Sequence, residues 1–278
     1  MNISAFNYED VIMRALKEDI TYLDVTTDYL IPDDQISNAI FMSKANGVLC
    51  GIDVALRTLS ILDPKATFEV LMNDGDTIEK SDIIAHVQGK TRALLKGERT
   101  ALNLLQHMSG IATATKCAVD EVSGTGAVIT DTRKTLPGLR ALEKYAVTVG
   151  GGRNHRFNLS DAAMIKDNHT DAVGSITKAV ETLRTRVGHT IKIEVETRTL
   201  DEVREAVCVG ADIIMLDNMD TETMKKAVAI ISGAAPIEAS GGIKAGMLRE
   251  VAETGVNIIS IGALTHSVKA LDISMKII

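Results

Sequence analysis

Hydrophobic and polar positions follow two different periods along this chain. In residues 1–90, a helical pattern from Tyr8 to Glu18 precedes short runs in which apolar and polar residues alternate. Such runs are typical of strands with one buried face. They span residues 37–43, 67–71 and 83–87, with turn sequences between them. This region is therefore predicted to be α+β, built on an antiparallel sheet.

A long helix is predicted next, from about residue 92 to residue 122, because apolar residues recur there at helical spacing. Ser109-Gly110 predicts a break within it. Arg99, Asn103 and Gln106 form one polar stripe on this otherwise apolar helix. The stripe is compatible with a solvated face, with a polar cavity or with a subunit interface.

From residue 127 onward the pattern alternates between strand and helix. The predicted strands span residues 127–131, 162–166, 191–196, 212–216, 236–239 and 257–261. Repeated βα units imply a parallel sheet, either doubly wound or closed into a barrel. A barrel is favoured because no Gly-x-Gly-x-x-Gly sequence follows the first strand. Since six strands are fewer than the usual eight, the barrel is expected to be irregular and incomplete.

Composition narrows the class of protein. The chain has 278 residues, 45% hydrophobic and 24% charged, with a formal net charge of −7, which is typical of a globular protein that does not bind nucleic acid. Three cysteines lie far apart, and no cysteine or histidine spacing suits zinc. No secretory signal is recognisable, and no apolar run approaches the roughly 20 residues of a membrane span. We expect a cytoplasmic protein without membrane contact.

Polar residues stand at the end of every predicted strand in the second region. In α/β barrels the carboxyl ends of the strands carry the chemistry, whereas the opposite face serves stability. Six polar strand ends in succession are hard to explain as solvated loops. In chain order they are Asp131/Arg133/Lys134, Lys166/Asp167/Asn168, Glu194/Glu196, Asp217/Asn218, Ser240-Gly241-Gly242 and Gly262-Ala263.

The cations of this region suit a ligand that carries several negative charges. Guanidinium groups bind carboxylate and phosphate oxygens in pairs, and an ammonium group acts as a point charge. Arg153 and Arg140 are interpreted as ordinary surface residues. The functional candidates are Arg133, Lys134 and Lys166, which directly follow strands, with His155 and Arg156 in the glycine-rich segment 150–156.

The acidic and glycine-rich strand ends complete the candidate site. Glu194 and Glu196 point to the same face of one strand. With Asp217 they are candidates to hold Mg²⁺, to bind sugar hydroxyls or to stabilise a developing positive charge. Ser240-Gly241-Gly242 suits a phosphate held by the last loops of a barrel, although a tight turn would also need these glycines.

With these residues in view, the chain resembles the quinolinate phosphoribosyltransferase family over nearly its whole length. The resemblance rests on eight motifs in order, which makes it highly specific. They are EDI…DVTT (residues 18–27), KGERTALNLLQHMSGIAT (96–113), DTRKTLPGLRALEKYAVTVGGGRNHR (131–156), IKDNH (165–169), EVE (194–196), MLDNM (215–219), EASGGI (238–243) and SIGALTHS (260–267).

The resemblance implies a two-domain subunit. An N-terminal α/β sandwich domain, residues 1–108 joined by the tail 266–278, would stand beside an irregular α/β barrel of residues 109–265. The family also implies a homodimer with shared active sites, or a higher oligomer. In that arrangement Arg99 would reach the partner's site, which gives the polar stripe a reason.

The family also implies a reaction between quinolinate and phosphoribosyl pyrophosphate, with Mg²⁺, in NAD biosynthesis. Lys134, Lys166, Glu196 and Asp217 would be the catalytic residues. Glu196 and Asp217 would contact the ribose hydroxyls and Mg²⁺, and Glu194 ranks below them. The remaining implied contacts are Arg99, Thr132, Arg133, Lys134, His155, Arg156 and Lys166 to carboxylates and phosphates, and Ser240, Gly241, Gly242, Ile261, Gly262 and Ala263 to the 5-phosphate.

Two other functions are compatible with parts of this pattern. One is a paralogue that uses a different pyridine or phosphoribosyl substrate, against which the intact Thr132-Arg133-Lys134 and Asn154-His155-Arg156 stretches argue. The other is a non-catalytic sensor of a phosphate ligand on a barrel scaffold. A sensor would have no reason to keep both the cationic set and the pair of Glu196 and Asp217.

Overall fold

The computed structural model describes residues 8–278, which divide into two compact units. The first contains the described part of Met1–Lys116 together with Thr135–Gly151 and Leu264–Ile278. The second contains Cys117–Lys134 and Gly152–Ala263. The domain boundaries after residues 108 and 265 stay a prediction. None of the helices in residues 8–278 combines the length and the apolar character needed to cross a membrane.

The first unit is built on the predicted antiparallel sheet. The elements are α1 (Glu9–Asp19), α2 (Val25–Leu30), β1 (Ile36–Ser43), β2 (Gly47–Val48), α3 (Ile52–Leu62), β3 (Thr67–Val70), β4 (Thr77–Ile78), β5 (Ile83–Lys90), α4 (Thr91–Glu121, in the second unit from Cys117), α5 (Arg140–Val149), α11 (Ala263–His266, in the first unit from Leu264) and β12 (Ile273–Ile277). Four strands pair in the order β12-β1-β5-β3, and β2 pairs with β4 separately.

Two apolar clusters hold this unit together. In one, the sheet packs against α3 and α4 around Phe41, which is fully buried. Strand β12 closes one edge of the sheet and places Met275 opposite Phe41. In the other, α1 and α5 pack on α4 through Ile12, Met108 and Leu142. Helix α5 therefore belongs to the first unit, although it follows a strand of the second.

Helix α4 runs without interruption from Thr91 to Glu121, so the predicted break near Ser109-Gly110 is wrong. These small residues serve packing instead. The Ser109 hydroxyl accepts a hydrogen bond from the Cys50 N–H and donates one to the Cys50 carbonyl, at 2.9 and 3.1 Å. A Cβ atom on Gly110 would lie 2.3 Å from the carbonyl oxygen of Lys269. Close approach of backbone, rather than helix termination, explains the glycine.

We expect Gly110→Ala to destabilise the first unit by about 1–3 kcal/mol, because the added methyl group must displace the backbone at Lys269. Thermal unfolding followed by circular dichroism measures the effect. Gly188→Ala is the matched control, since a Cβ atom there meets nothing within 4 Å. Equal melting temperatures for the two variants would contradict the packing role assigned to Gly110.

The second unit is built on a sheet of six parallel strands, as predicted, in the order β6-β11-β10-β9-β8-β7. Strands β6 and β7 stand at its two edges, so the barrel is incomplete. The elements are β6 (Val128–Thr130), β7 (Ala163–Ile165), α6 (Asp167–Val173), α7 (Ile176–Arg184), β8 (Ile193–Thr197), α8 (Leu200–Cys208), β9 (Ile213–Asp217), α9 (Thr221–Ile231), β10 (Ile237–Ser240), α10 (Leu248–Ala252) and β11 (Ile258–Ser260).

Candidate active site

The predicted strand ends meet at one edge of the parallel sheet. Because all six strands run in the same direction, their carboxyl ends share that edge. Neighbouring strands in the sheet bring together residues that are distant along the chain. The predicted residues placed there, all in the second unit, are Thr132, Arg133, Lys134, Lys166, Glu196, Asp217, Ser240, Gly241, Gly242, Ile261, Gly262 and Ala263.

Lys166, Glu196 and Asp217 lie on adjacent strands. The Lys166 ammonium group is 3.0 Å from a carboxylate oxygen of Glu196. Glu196 pairs in register with Met215, so Asp217 stands two residues farther along the neighbouring strand and on the same face. The Glu196 side chain is 10% exposed and that of Lys166 is 47% exposed. The cation is therefore accessible from solvent and is anchored by a largely buried acid.

The glycine-rich segment ends in residues 152–156, which lie between the two edges of the sheet. On one side its backbone pairs with β6, through the Arg153 N–H and the Ile129 carbonyl at 2.8 Å. On the other side the Arg156 guanidinium donates to the carbonyl of Ala162, directly before β7, at 2.9 Å. This segment thus spans the interval between β6 and β7 that a complete barrel would fill with further strands.

Asp131 fixes this segment to the end of β6. Its side chain is fully buried, and its two oxygens accept hydrogen bonds from the His155 N–H at 2.9 Å and from the Asn154 amide at 2.6 Å. Hydrogen bonds to a buried carboxylate are among the stronger ones in proteins. Asp131 therefore fixes the position of His155 and, through the chain, that of Arg156.

Two guanidinium groups are brought close together by this arrangement. Burial lowers the pKa of Arg156, and the positive charge of Arg133 lowers it further. Like charges held together in a partly buried place repel one another, and the charges of Glu194 and Asp161 oppose this effect on Arg156. The pair is therefore suited to a ligand that brings two negative charges.

His155 contacts two glutamates beneath this segment. Its Nε2 atom lies 3.3 Å from an oxygen of Glu194 on β8 and 3.4 Å from an oxygen of Glu238 on β10. Burial by itself lowers the pKa of His155, but hydrogen bonds to the two glutamates and their charges raise it to about 10. Burial also raises the pKa of Glu194, and the neighbouring charge of Glu238 adds to that rise.

The Ser240-Gly241-Gly242 sequence forms a left-handed glycine turn after β10. The φ angles of Gly241 and Gly242 are 86° and 66°. A Cβ atom on Gly241 would lie 2.5 Å from the side chain of Asn218, whose backbone N–H donates to the Ser240 carbonyl. The next helix begins only at Leu248. The two glycines are therefore needed for a tight turn, as the alternative interpretation of this sequence supposed. The N–H groups of the turn lie at the edge of the sheet where the strands end.

Arg99 belongs to the first unit, whereas the candidate residues above belong to the second. It is on α4, within the first unit, and its side chain is exposed. Gln106, from the same polar stripe, donates to the carbonyl of Ile273, the first residue of β12. One member of the stripe thus has a structural role within the subunit, while Arg99 extends into solvent.

Three residues of the second unit, Asp131, Asn218 and Glu238, have positions that sequence reasoning did not assign to the site. Asp131 and Asn218 stood among the polar strand ends without a role. Glu238 carried a usable signal, because it stands between Ile237 and Ala239 in a short buried strand. A charged residue within an apolar strand needs a buried partner, which the sequence alone does not name.

Comparison with known proteins agrees with this geometry. Residues 24–109 match the family described as quinolinate phosphoribosyl transferase, N-terminal domain, and residues 111–276 match its C-terminal domain. A probable nicotinate-nucleotide pyrophosphorylase (carboxylating) of Synechocystis is 46% identical over 270 residues, covering 96% of this chain and 91% of the relative. The Mycobacterium leprae protein of that name is 43% identical and covers 96% of each chain.

Solved structures extend the agreement to the backbone. NadC from Streptococcus pyogenes superposes with a TM-score of 0.96 at 41% identity, covering 99% of this chain and 98% of that one. The nicotinate-nucleotide pyrophosphorylase of Ehrlichia chaffeensis gives a TM-score of 0.95 at 39% identity over the whole of both chains. This chain therefore belongs to the quinolinate phosphoribosyltransferase family, a family of phosphoribosyltransferase enzymes.

Proposed function

We propose that this protein transfers the phosphoribosyl group of phosphoribosyl pyrophosphate to quinolinate with decarboxylation, in de novo NAD biosynthesis. The products would be nicotinate mononucleotide, CO₂ and pyrophosphate. The observation that supports this most is the proximity of Arg133 and Arg156 at the same sheet edge as Lys166, Glu196 and Asp217. Cations that suit a dianion thus share this edge with polar groups that suit a ribose phosphate.

The reaction needs two events at one place. Pyrophosphate leaves C1 of the ribose while positive charge builds on the ring, and the quinolinate nitrogen bonds to C1. The carboxylate at C2 then departs as CO₂, its electron pair is stabilised by the adjacent pyridinium nitrogen, and C2 takes up a proton. Holding both reactants in line supplies much of the acceleration, since good orientation can contribute about 7–11 kcal/mol.

Each group of the site has a part in this scheme. Arg133 and Arg156 bind the two carboxylates of quinolinate, and Thr132 and Lys134 extend this binding stretch. Lys166 contacts quinolinate and is held by Glu196. Glu196 and Asp217 bind the ribose hydroxyls and stabilise the positive charge that develops at C1. The turn at Ser240–Gly242 and the stretch Ile261–Ala263 bind the 5-phosphate.

Mg²⁺ fits the donor set of this site. Glu196 and Asp217 offer carboxylate oxygens on adjacent strands, and neither is fully buried. Mg²⁺ prefers oxygen ligands and is usually held by one or two carboxylates together with substrate phosphates and water. When bound, the ion neutralises charge on the departing pyrophosphate. Glu196 and Asp217 would hold it largely through substrate and water.

The proposal includes a homodimer, or a higher oligomer, in the cytoplasm. Large apolar side chains are exposed around α2, in Tyr22, Val25, Tyr29 and Leu30. Several large apolar side chains exposed within one short segment are typical of a protein interface. In the dimer, Arg99 would extend into the partner's active site, which is the role that the family resemblance implies for it.

The direct test mixes the purified protein with quinolinate, phosphoribosyl pyrophosphate and Mg²⁺. We expect CO₂ and nicotinate mononucleotide in equal amounts, because loss of the carboxylate follows each glycosyl transfer. Chelation of Mg²⁺ should stop both, and its re-addition should restore them. Absence of product with quinolinate, alongside turnover of another pyridine, would favour the paralogue; binding of phosphoribosyl pyrophosphate without turnover would favour the sensor.

A further inference from the structure

Glu194 and Glu238 are buried acids for which the proposed reaction has no direct use. They come from β8 and β10, and β9 lies between these strands in the sheet. Their side chains are 1% and 2% exposed. Oxygen Oε1 of each is buried and has no hydrogen-bond partner within residues 8–278. Since burial of a carboxylate is costly without compensation, the contact of both Oε2 atoms with His155 requires an explanation.

A backbone N–H group next to His155 determines which ring nitrogen carries the proton. Nδ1 of His155 accepts a hydrogen bond from the backbone N–H of Arg156 at 2.7 Å. A backbone N–H can only donate, so Nδ1 carries a lone pair and the ring proton is on Nε2. The Nε2–H group therefore points to Glu194 and Glu238 and donates to their oxygens. The hydrogen bond from Arg156 opposes a second proton on Nδ1, whereas the charges of the two glutamates favour one and raise the pKa of His155. The proton on Nε2 is present in either case.

This arrangement rules out a metal ion among the three side chains. Their ligand atoms all lie within 4.8 Å of one another, which is a spacing compatible with metal coordination. Coordination would need the lone pair of Nε2, however, and that atom carries the proton. The two glutamates therefore contact His155 as hydrogen-bond acceptors.

We infer that Glu194 and Glu238 are positioning residues, which hold the His155 ring and thereby set the Arg156 guanidinium for binding of the substrate's carboxylates. The inference rests on the proposed function, because it concerns the quinolinate subsite. Both nitrogens of His155 are engaged within the protein, one by the glutamates and one by the next residue in the chain. His155 thus acts on the substrate through Arg156.

The geometry between His155 and Arg156 shows how the effect is transmitted. The hydrogen bond to Nδ1 fixes the peptide link between the two residues, and Asp131 fixes the His155 N–H from the other side. The Arg156 guanidinium then reaches the Ala162 carbonyl and lies near Arg133. Without the glutamates the ring would be free to rotate, and the Arg156 backbone would lose this restraint.

Steady-state kinetics of two variants at one position test the inference. Glu238→Gln keeps an acceptor for Nε2–H, whereas Glu238→Met has similar length and no acceptor. We expect Glu238→Met to raise KM for quinolinate about tenfold, the effect of one lost hydrogen bond to a charged group. Glu238→Gln should change it by at most about twofold, and KM for phosphoribosyl pyrophosphate should stay constant. Glu194→Met is the second variant, and because the charge of Glu194 also acts directly on Arg156, its rise in KM should be at least as large.

A double-mutant cycle separates positioning through His155 from a general structural role. In a His155→Ala background, Glu238→Met should have no further effect on KM for quinolinate, because the ring through which Glu238 acts is gone. Asp212→Leu is the matched control. It removes an acid that accepts a hydrogen bond from Ile193 at the opposite end of the sheet, so it should lower the melting temperature and leave KM unchanged.

The outcomes are distinct. Three results would overturn the inference while the wild-type enzyme remains active. The first is an unchanged KM for quinolinate in Glu238→Met and Glu194→Met, and the second is an equal rise in KM for Glu238→Met and Glu238→Gln. The third is a rise in KM from Glu238→Met that is as large in the His155→Ala background as in the wild-type background. A wild-type protein that does not turn over quinolinate would overturn the proposed function, and this inference with it.

Discussion

At saturating phosphoribosyl pyrophosphate, kcat/KM for quinolinate is expected to exceed that for nicotinate by about 10⁴. Nicotinate lacks the carboxylate at C2, so one guanidinium of the pair formed by Arg133 and Arg156 would lose its contact with the substrate. Burial lowers the pKa of the half-buried Arg156, and the charge of Arg133 lowers it further. A site whose charged groups lose their contacts with the substrate rejects an analogue much more strongly than an apolar pocket does. Initial rates of nicotinate mononucleotide formation measure the ratio.

Arg156→Gln and Arg153→Gln form a matched pair for this expectation. Both residues lie in the segment 152–156, but Arg156 is half-buried and donates to the Ala162 carbonyl, whereas Arg153 is exposed. Arg156→Gln should lower kcat/KM for quinolinate by about 10²-fold, the usual cost of removing one partner of a desolvated charge pair. Arg153→Gln should leave it unchanged. A quinolinate to nicotinate ratio below about 10² in the wild-type enzyme would contradict the dianion site.

Arg99→Ala and Lys166→Ala, each nearly inactive alone, should regain about a quarter of wild-type activity when their subunits exchange. If the protein is the homodimer proposed above and Arg99 acts in the partner's site, each mixed dimer has one site with both lesions and one with neither. Random exchange makes half of the dimers mixed, and half of their sites are intact. Exchange is verified by native mass spectrometry, and activity is measured on the same sample.

A mixture of Lys134→Ala with Lys166→Ala is the control. Both lysines belong to the second unit and follow strands of the same sheet, so every site in a mixed dimer would carry one lesion. This mixture should stay as inactive as its parents. If the mixture with Arg99→Ala also stays inactive after confirmed exchange, Arg99 acts within its own subunit or only on the fold.

The arrangement of the strand ends could be predicted from the sequence because two simple regularities determine it. Apolar runs mark the strands, and repeated βα units require a parallel sheet whose carboxyl ends coincide. The pairing of Lys166 with Glu196 follows from that topology, because β7 and β8 are neighbours in register. These residues lie at the site because of local patterns and chain direction, both of which are visible in the sequence.

Other parts of the site depend on contacts between side chains and could not be predicted in this way. The segment 152–156 lies between β6 and β7 because Asp131 accepts two of its hydrogen bonds, and nothing in the spacing of the glycines indicates that partner. The contact of His155 with Glu238 joins residues far apart in the chain. In α4, Ser109-Gly110 has the composition of a helix break, but close packing on Cys50 and Lys269 overrides that local preference.

The pairing of β12 with β1 has a consequence for biosynthesis. The ribosome makes β1 early, but its edge partner, Ile273–Ile277, emerges only after the whole second unit. The parallel sheet can therefore form while the antiparallel sheet still presents an unpaired edge to solvent. Exposed edges are sites of aggregation in nascent chains. If translation stopped shortly before Ile273, the released chain would contain all six parallel strands, but the antiparallel sheet of its first unit would keep an unpaired edge that is prone to aggregation.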